Sequence, residues 1–360
     1  MKIKKTITIL FLCLLALCLC NCSYIQKGID ISGLKDLAAD FSADFPSGSP
    51  EKLQAFVKTT ALAKDTEPVS DLNFTISPLT KWQIQHPSGD KMILEKITFP
   101  SRIRHKEKMD AAVFYIYRTG ELKDKKVILW VPGAGVSDFA FRFIKYFFLE
   151  ALVRNYNIVF YVPPYHLERT EAGKKNGEGL LTPDHERNIS VLLNAVRELR
   201  TMISYLKSSG VTTIGGWGGS IGATMLLLTG QMEKFDHLNM MIPIVDFNTV
   251  IFKNQYLRAA VAQFARAGYS EKLLTQAYGL VNPIQYKLKI KPSRLQIMYA
   301  QYDQLTPATA MIEFAQKNHI KKLIAYPRSH ATILLTRRLY DDYGLFLDSL
   351  AEAEEIKTSN

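Results

Sequence analysis

Cysteine is nearly missing from this chain of 360 residues. Its four cysteines, Cys13, Cys18, Cys20 and Cys22, all lie in or beside the first apolar segment. None is left for the body, so a disulfide framework there is excluded. The apolar run of residues 7–20 is shorter than the roughly 20 residues a membrane-spanning helix needs. Internal repeats and low-complexity stretches are lacking, which excludes solenoids and fibrous or disordered arrays. Acidic residues are missing from the first 21 positions. The cationic excess further on is scattered, with no basic block and no nucleic-acid motif beside it.

The composition, 47% hydrophobic and 22% charged, is that of a chain able to bury a large core. One domain preceded by an N-terminal tail is the simplest division at this length. Met1-Lys2-Ile3-Lys4-Lys5 followed by the apolar run has the basic start and short apolar core of a secretory signal peptide, expected over residues 1–21. Leu19-Cys20-Asn21-Cys22-Ser23 resembles a bacterial lipoprotein box, which implies cleavage and lipidation at Cys22. Asn21 departs from the usual Gly or Ala, and Cys20, preceded by Leu19, is the alternative; an uncleaved apolar anchor is another. The net charge of +11 falls by three to +8 when Lys2, Lys4 and Lys5 leave with residues 1–21. That balance favours an anionic lipid surface as a partner and gives no support to nucleic acid.

Residues 22–72 are expected to form a polar tether, lipid-anchored on that reading, or an arm packed on the body. One short helix is capped by Ser49 and started by Pro50, with an apolar stripe of Leu53, Phe56 and Val57. Residues 74–117 alternate between apolar and polar positions, as antiparallel strands do. Short continuous apolar runs then follow at 127–131, 158–162, 212–217, 240–245, 295–300 and 323–326, separated by helical stretches. Strands buried on both faces read this way. An α/β domain over residues 73–355 is expected, with a mainly parallel sheet and helices on both faces. A helix capped at Thr182-Pro183-Asp184 carries Ile189, Leu192, Leu193, Val196, Leu199, Ile203 and Leu206 at helical spacing.

Gly218-Gly219-Ser220-Ile221-Gly222 stands directly after the 212–217 run and directly before the helix-forming Ala223-Thr224-Met225-Leu226. A G-x-S-x-G sequence between a strand and a helix is the context a nucleophile elbow requires. The plainer alternative is a glycine-rich structural turn. On these residues the stretch from about 90 to 350 resembles the α/β-hydrolase superfamily, in serine esterase or lipase form. In that family the acid follows a late strand and the histidine follows the last one.

The resemblance implies Asp303, after the strand ending Tyr299-Ala300-Gln301-Tyr302, as the acid, and His330, in Pro327-Arg328-Ser329-His330, as the base. A serine hydroxyl is a poor nucleophile at neutral pH, so an imidazole must take its proton and a carboxylate must hold the imidazole's tautomer. Asp246, after the 240–245 run, is the rival acid, equally at home as the cap of the helix starting near Thr249. The oxyanion donors implied are the backbone N–H groups of Ile221 and of Ala134, in Pro132-Gly133-Ala134-Gly135. Neither a metal nor a cofactor is called for.

Pro163-Pro164-Tyr165-His166-Leu167-Glu168-Arg169 follows the 158–162 strand, at the sheet edge where ligands bind in such folds. Tyr165 and His166 are candidates to line the pocket, and Arg169 to hold a phosphate or carboxylate. The alternative is a rigid diproline loop with Arg169 paired to Glu168 or Glu171. A helical insertion at about 248–290 is placed where this superfamily carries its cap. These readings point to a serine hydrolase of an acyl ester at a membrane surface. The runner-up is a surface lipoprotein of the same fold that binds acylated ligands without cleaving them.

Overall fold

The computed structural model describes residues 23–43, 48–70, 72–105 and 108–358. The expected signal segment and Cys22 lie outside them. No helix among the described residues is long and apolar enough to cross a membrane.

Among the described residues three helices precede the sheet: α1 (Ser23–Ala43), α2 (Pro50–Thr59) and α3 (Leu62–Asp65). The Ser49 hydroxyl caps α2 by accepting from the Lys52 N–H at 3.2 Å. Helix α1 matches the packed arm, not the free tether, of the two forms expected there, though the sequence pattern predicts no helix at these residues. Its Gln26, Asp30 and Leu34 recur every fourth residue and are all buried, so one face of the helix is packed on the body.

Strands β1 (Thr75–Pro78), β2 (Ile93–His105) and β3 (Lys108–Arg118) form the antiparallel edge. There follow β4 (Lys126–Val131), α4 (Asp138–Leu152), β5 (Tyr156–Val162), α5 (His185–Ser208), β6 (Thr213–Gly219), α6 (Ile221–Thr229) and β7 (His237–Met241). Next come α7 (Phe247–Phe252), α8 (Arg258–Arg266) and α9 (Glu271–Gly279), where the insertion was expected. The chain closes with β8 (Leu295–Ala300), α10 (Ala308–Lys317), β9 (Lys322–Tyr326) and α11 (Arg337–Thr358). The nine strands pair in the order β1-β2-β3-β5-β4-β6-β7-β8-β9, and the six from β4 onward are parallel to one another.

Side chains on the central strands alternate between two core layers. Val127, Leu129 and Val131 of β4 face the layer that contains Leu192 and Leu199 of α5, Leu226 of α6 and Phe314 of α10. Ile128 and Trp130 face the layer closed by Phe147 and Phe148 of α4 and by Tyr343 and Phe346 of α11. In the second layer Trp130 stacks on Trp217 of β6, with ring centroids 4.1 Å apart and planes within 4°. This stack ties the strand before the glycine loop to the strand before Ser220.

One strand is displaced from its expected place. The apolar run predicts a strand over 240–245, whereas β7 spans His237–Met241. Ile242 adopts a left-handed φ of 44° and Pro243 lacks an N–H, so the ladder stops at Met241.

Candidate active site

The sheet order reverses at β4, and the loops at the carboxyl ends of β4, β6, β8 and β9 meet there, where ligands bind in open α/β sheets. Ser220 stands between β6 and α6 with φ 50° and ψ −123°, a strained conformation for a residue bearing a side chain. Its N–H donates to the Met241 carbonyl at 2.8 Å. The flanking glycines are required by crowding. A Cβ on Gly218 would lie 2.6 Å from Ala223 Cα, and one on Gly222 would lie 2.3 Å from the carbonyl oxygens of Val131 and Pro132. Helix α6 therefore starts hard against the ends of β4 and β6, and that contact fixes the serine's direction.

Ser220 Oγ lies 3.0 Å from His330 Nε2, and His330 Nδ1 lies 2.8 Å from Asp303 Oδ2. Asp303 is held in turn. Oδ1 accepts from the N–H groups of Leu305 (2.8 Å) and Thr306 (2.7 Å), and Oδ2 accepts from the Thr306 hydroxyl (2.6 Å). Burial pulls the His330 pKa down, but the Asp303 carboxylate, and Asp30 beyond it, outweigh burial and raise it above its ordinary value.

Asp246 is occupied elsewhere. It caps α7 by accepting from Asn248 N–H (3.0 Å) and the Thr249 hydroxyl (2.7 Å), and it holds the Asn282 amide at 2.9 Å. Of the two candidate acids, the structure brings Asp303 to the imidazole.

Ile221 opens α6, where a first-turn N–H has no carbonyl within its helix. Gly133 presses against Ser220, since a Cβ there would lie 3.1 Å from Ser220 Cβ. Gly135 N–H is committed to His166 Nε2 at 2.9 Å, while Ala134 is exposed between them.

Three expected pocket residues lie elsewhere than predicted. His166 is fully buried, and its Nδ1 bonds the Pro164 carbonyl at 2.8 Å. Only a neutral ring can donate there while accepting from Gly135. Burial pushes its pKa down to about 4, so the neutral form is the one present near pH 7. His166 thus shapes the Gly133–Gly135 loop from behind. Tyr165 is also buried, at a φ of 65°, with the Arg187 guanidinium 4.7 Å from its ring centroid.

Arg169 is not free for a substrate anion: it is enclosed between the carboxylates of Asp110 and Glu198. Its guanidinium meets Glu198 at 2.8 Å and Asp110 at 2.6 Å and donates to the Val162 carbonyl at 2.9 Å, and Glu198 also accepts from the Tyr161 hydroxyl at 2.6 Å. Removing one member of such a buried set strands the others. Arg169→Met is expected to lower unfolding free energy by about 3–5 kcal/mol in urea titrations. A residue that instead gripped substrate would leave stability unchanged and raise KM.

Two features had no signal in the apolar pattern: the Thr306 hydroxyl under Asp303, and the α1 residues Gln26 and Asp30 behind His330. Only the position of Thr306 next to the acid loop could have drawn attention to it.

No protein-family model matches the chain, and no curated protein sequence does. Among solved structures, an acetyl xylan esterase from a Thermoanaerobacterium species aligns with a TM-score of 0.54 over 89% of this chain and 98% of its own, at 14% identity. An acetyl xylan esterase from a Paenibacillus species aligns with a TM-score of 0.53 over 88% and 98%, at 11% identity. The chain has the α/β-hydrolase fold. Within the α/β-hydrolase frame, Ser220, Asp303 and His330 occur in the chain order that this fold uses for nucleophile, acid and base. The insertion α7 to α9 lies between β7 and β8 and reaches the acid loop, where the Asn254 amide donates to the Gln304 carbonyl at 2.8 Å.

Proposed function

We propose that this protein is a serine hydrolase of carboxylic esters that works through an acyl-enzyme on Ser220. The observation that carries the proposal is the continuous chain from Ser220 Oγ through His330 to Asp303, at 3.0 and 2.8 Å. The imidazole takes the hydroxyl proton as Oγ attacks the ester carbonyl, and Asp303 stabilises the imidazolium that forms. The tetrahedral oxyanion is held by the N–H groups of Ile221 and Ala134. Collapse expels the alcohol, which takes the proton from His330. Water then cleaves the acyl-enzyme by the same steps in reverse roles. The two structures of similar fold named as acetyl xylan esterases support ester cleavage as the reaction.

The substrate is a lipid or other acyl ester, and cleavage takes place at a membrane surface to which lipidated Cys22 would hold the chain. Helix α1 starts at Ser23, immediately after that cysteine. Asp30 lies seven residues beyond Ser23, about 10 Å along α1, so an anchor just before α1 would place the triad close to the lipid headgroups. Hydrolysis of p-nitrophenyl esters of graded chain length, with fluorophosphonate labelling alongside, tests the reaction. Turnover and label on the wild type are expected, and a folded wild type that takes no label sinks the enzyme reading. Palmitate incorporation tests the anchor: Cys22→Ala should abolish it and release the protein from membranes, and unchanged membrane association would rule the lipid out.

A further inference from the structure

Helix α1 reaches into the catalytic loops with two polar side chains. Asp30 Oδ2 accepts from the backbone N–H of His330 at 2.9 Å and from that of Gln304 at 3.1 Å, and Oδ1 accepts from Ala331 N–H at 3.1 Å. One helical turn earlier, Gln26 Oε1 accepts from Ser329 N–H at 3.1 Å and from the Thr332 hydroxyl. Both side chains are buried, Gln26 fully and Asp30 to within 4%. One face of one helix therefore holds the residue after the acid, the base itself and its two neighbours.

The helix is supported on its other contacts by the 255–257 turn and by α8, so it bridges the cap insertion and the triad. A buried carboxylate is costly unless hydrogen-bonded, and three backbone N–H groups converging on it meet that need. An amide in its place would offer one acceptor oxygen and no charge.

We infer that Asp30, with Gln26 beside it, is a positioning residue of the triad: it fixes the His330 loop to the Asp303 loop and places a second anion behind the imidazole that must become positive during attack. This inference rests on the serine-hydrolase reading. The groups facing His330 are Asp303 and the Thr306 hydroxyl from the acid loop, Ser220 from the elbow, and Asp30 from α1. Arg328, in the same loop, directs its Nε to the Thr336 hydroxyl at 2.9 Å. An anion beside an imidazole raises its proton affinity, and both Asp303 and Asp30 act on His330 in that direction. Loss of Asp30 must then lower that affinity. Catalysis needs the neutral ring, so the acidic limb of the pH profile moves to lower pH.

The test uses the full-length protein with p-nitrophenyl acetate, comparing Asp30→Asn, Asp30→Ala and Gln26→Ala with the wild type. Asp30→Asn is expected to lower kcat by roughly ten- to a hundredfold, as small misplacements of reacting groups do, while KM changes little. Its acidic limb shifts to lower pH. Gln26→Ala, which removes an acceptor but no charge, should lower kcat with the limb unmoved. A folded Asp30→Asn with wild-type kcat and an unmoved limb overturns the inference, and a change confined to melting temperature does the same, since that is what a merely structural helix would give. If Asp30→Ala does not fold, the other two variants decide. A wild type that is labelled by a fluorophosphonate beside unaffected variants overturns this inference alone. An unlabelled wild type overturns the serine reading and this one with it.

Discussion

Ser220→Ala is expected to reduce ester turnover by roughly 10³- to 10⁶-fold and to abolish fluorophosphonate labelling, with the melting temperature nearly unchanged. The size follows from what the side chain does. Without Oγ no acyl-enzyme forms, and only the oxyanion donors and substrate binding remain to favour attack by water. Stability should hold because the strained φ of 50° at this position is imposed by the α6 contact with β4 and β6, and alanine meets the same strain. The Cβ that packs against Gly133 is also retained. Steady-state hydrolysis and gel labelling read the first effect, and thermal melting reads the second. Turnover within tenfold of wild type in the folded variant would exclude an acyl-enzyme on this residue.

The second large effect separates the two candidate acids. Asp303→Asn is expected to lower kcat by about 10⁴-fold, because an amide at this site donates where His330 Nδ1 must donate and so selects the wrong tautomer. Leu305, Thr306 and the Thr306 hydroxyl already fill the acceptor positions of the Asp303 carboxylate, leaving an amide little freedom to turn. Asp246→Ala should behave differently. It removes the cap of α7 and the hold on Asn282, costing about 1 kcal/mol of stability, with kcat within a few-fold of wild type. A kcat loss in Asp246→Ala as large as that in Asp303→Asn would reverse the assignment.

The parts of this fold legible in the sequence were those that obey a simple period. The apolar runs at 127–131, 158–162 and 295–300 became strands because both of their faces are covered, and the helix after Asp184 showed its stripe plainly. Ser220 was readable because its glycines are forced by close backbone approach, which leaves a mark in composition. His330 and Asp303 came from the resemblance, which places the acid after a late strand and the histidine after the last one, and Asp246 stayed open beside Asp303.

What was missed lacks such a mark. Helix α1 buries Gln26 and Asp30, so its packed face does not look apolar. Arg169 stands 59 residues from Asp110 and 29 from Glu198, and pairing at that range leaves no local trace. The role of His166 depends on a neutral ring between two backbone groups, which only the fold supplies. The end of β7 was misplaced because one residue, Ile242, turns left-handed.

The bond between Asp30 and the His330 amide joins residues 300 apart in sequence. Helix α1 is translated long before the loop that its Asp30 meets. Closing so long a loop costs entropy that local contacts cannot offset early, so contacts of this kind form late in folding. Nascent and partly folded chains, with α1 undocked, would therefore hold the serine without a braced base. On the proposed function, hydrolytic competence would arrive only once α1 has docked on the His330 loop, so activity would report completion of the whole fold.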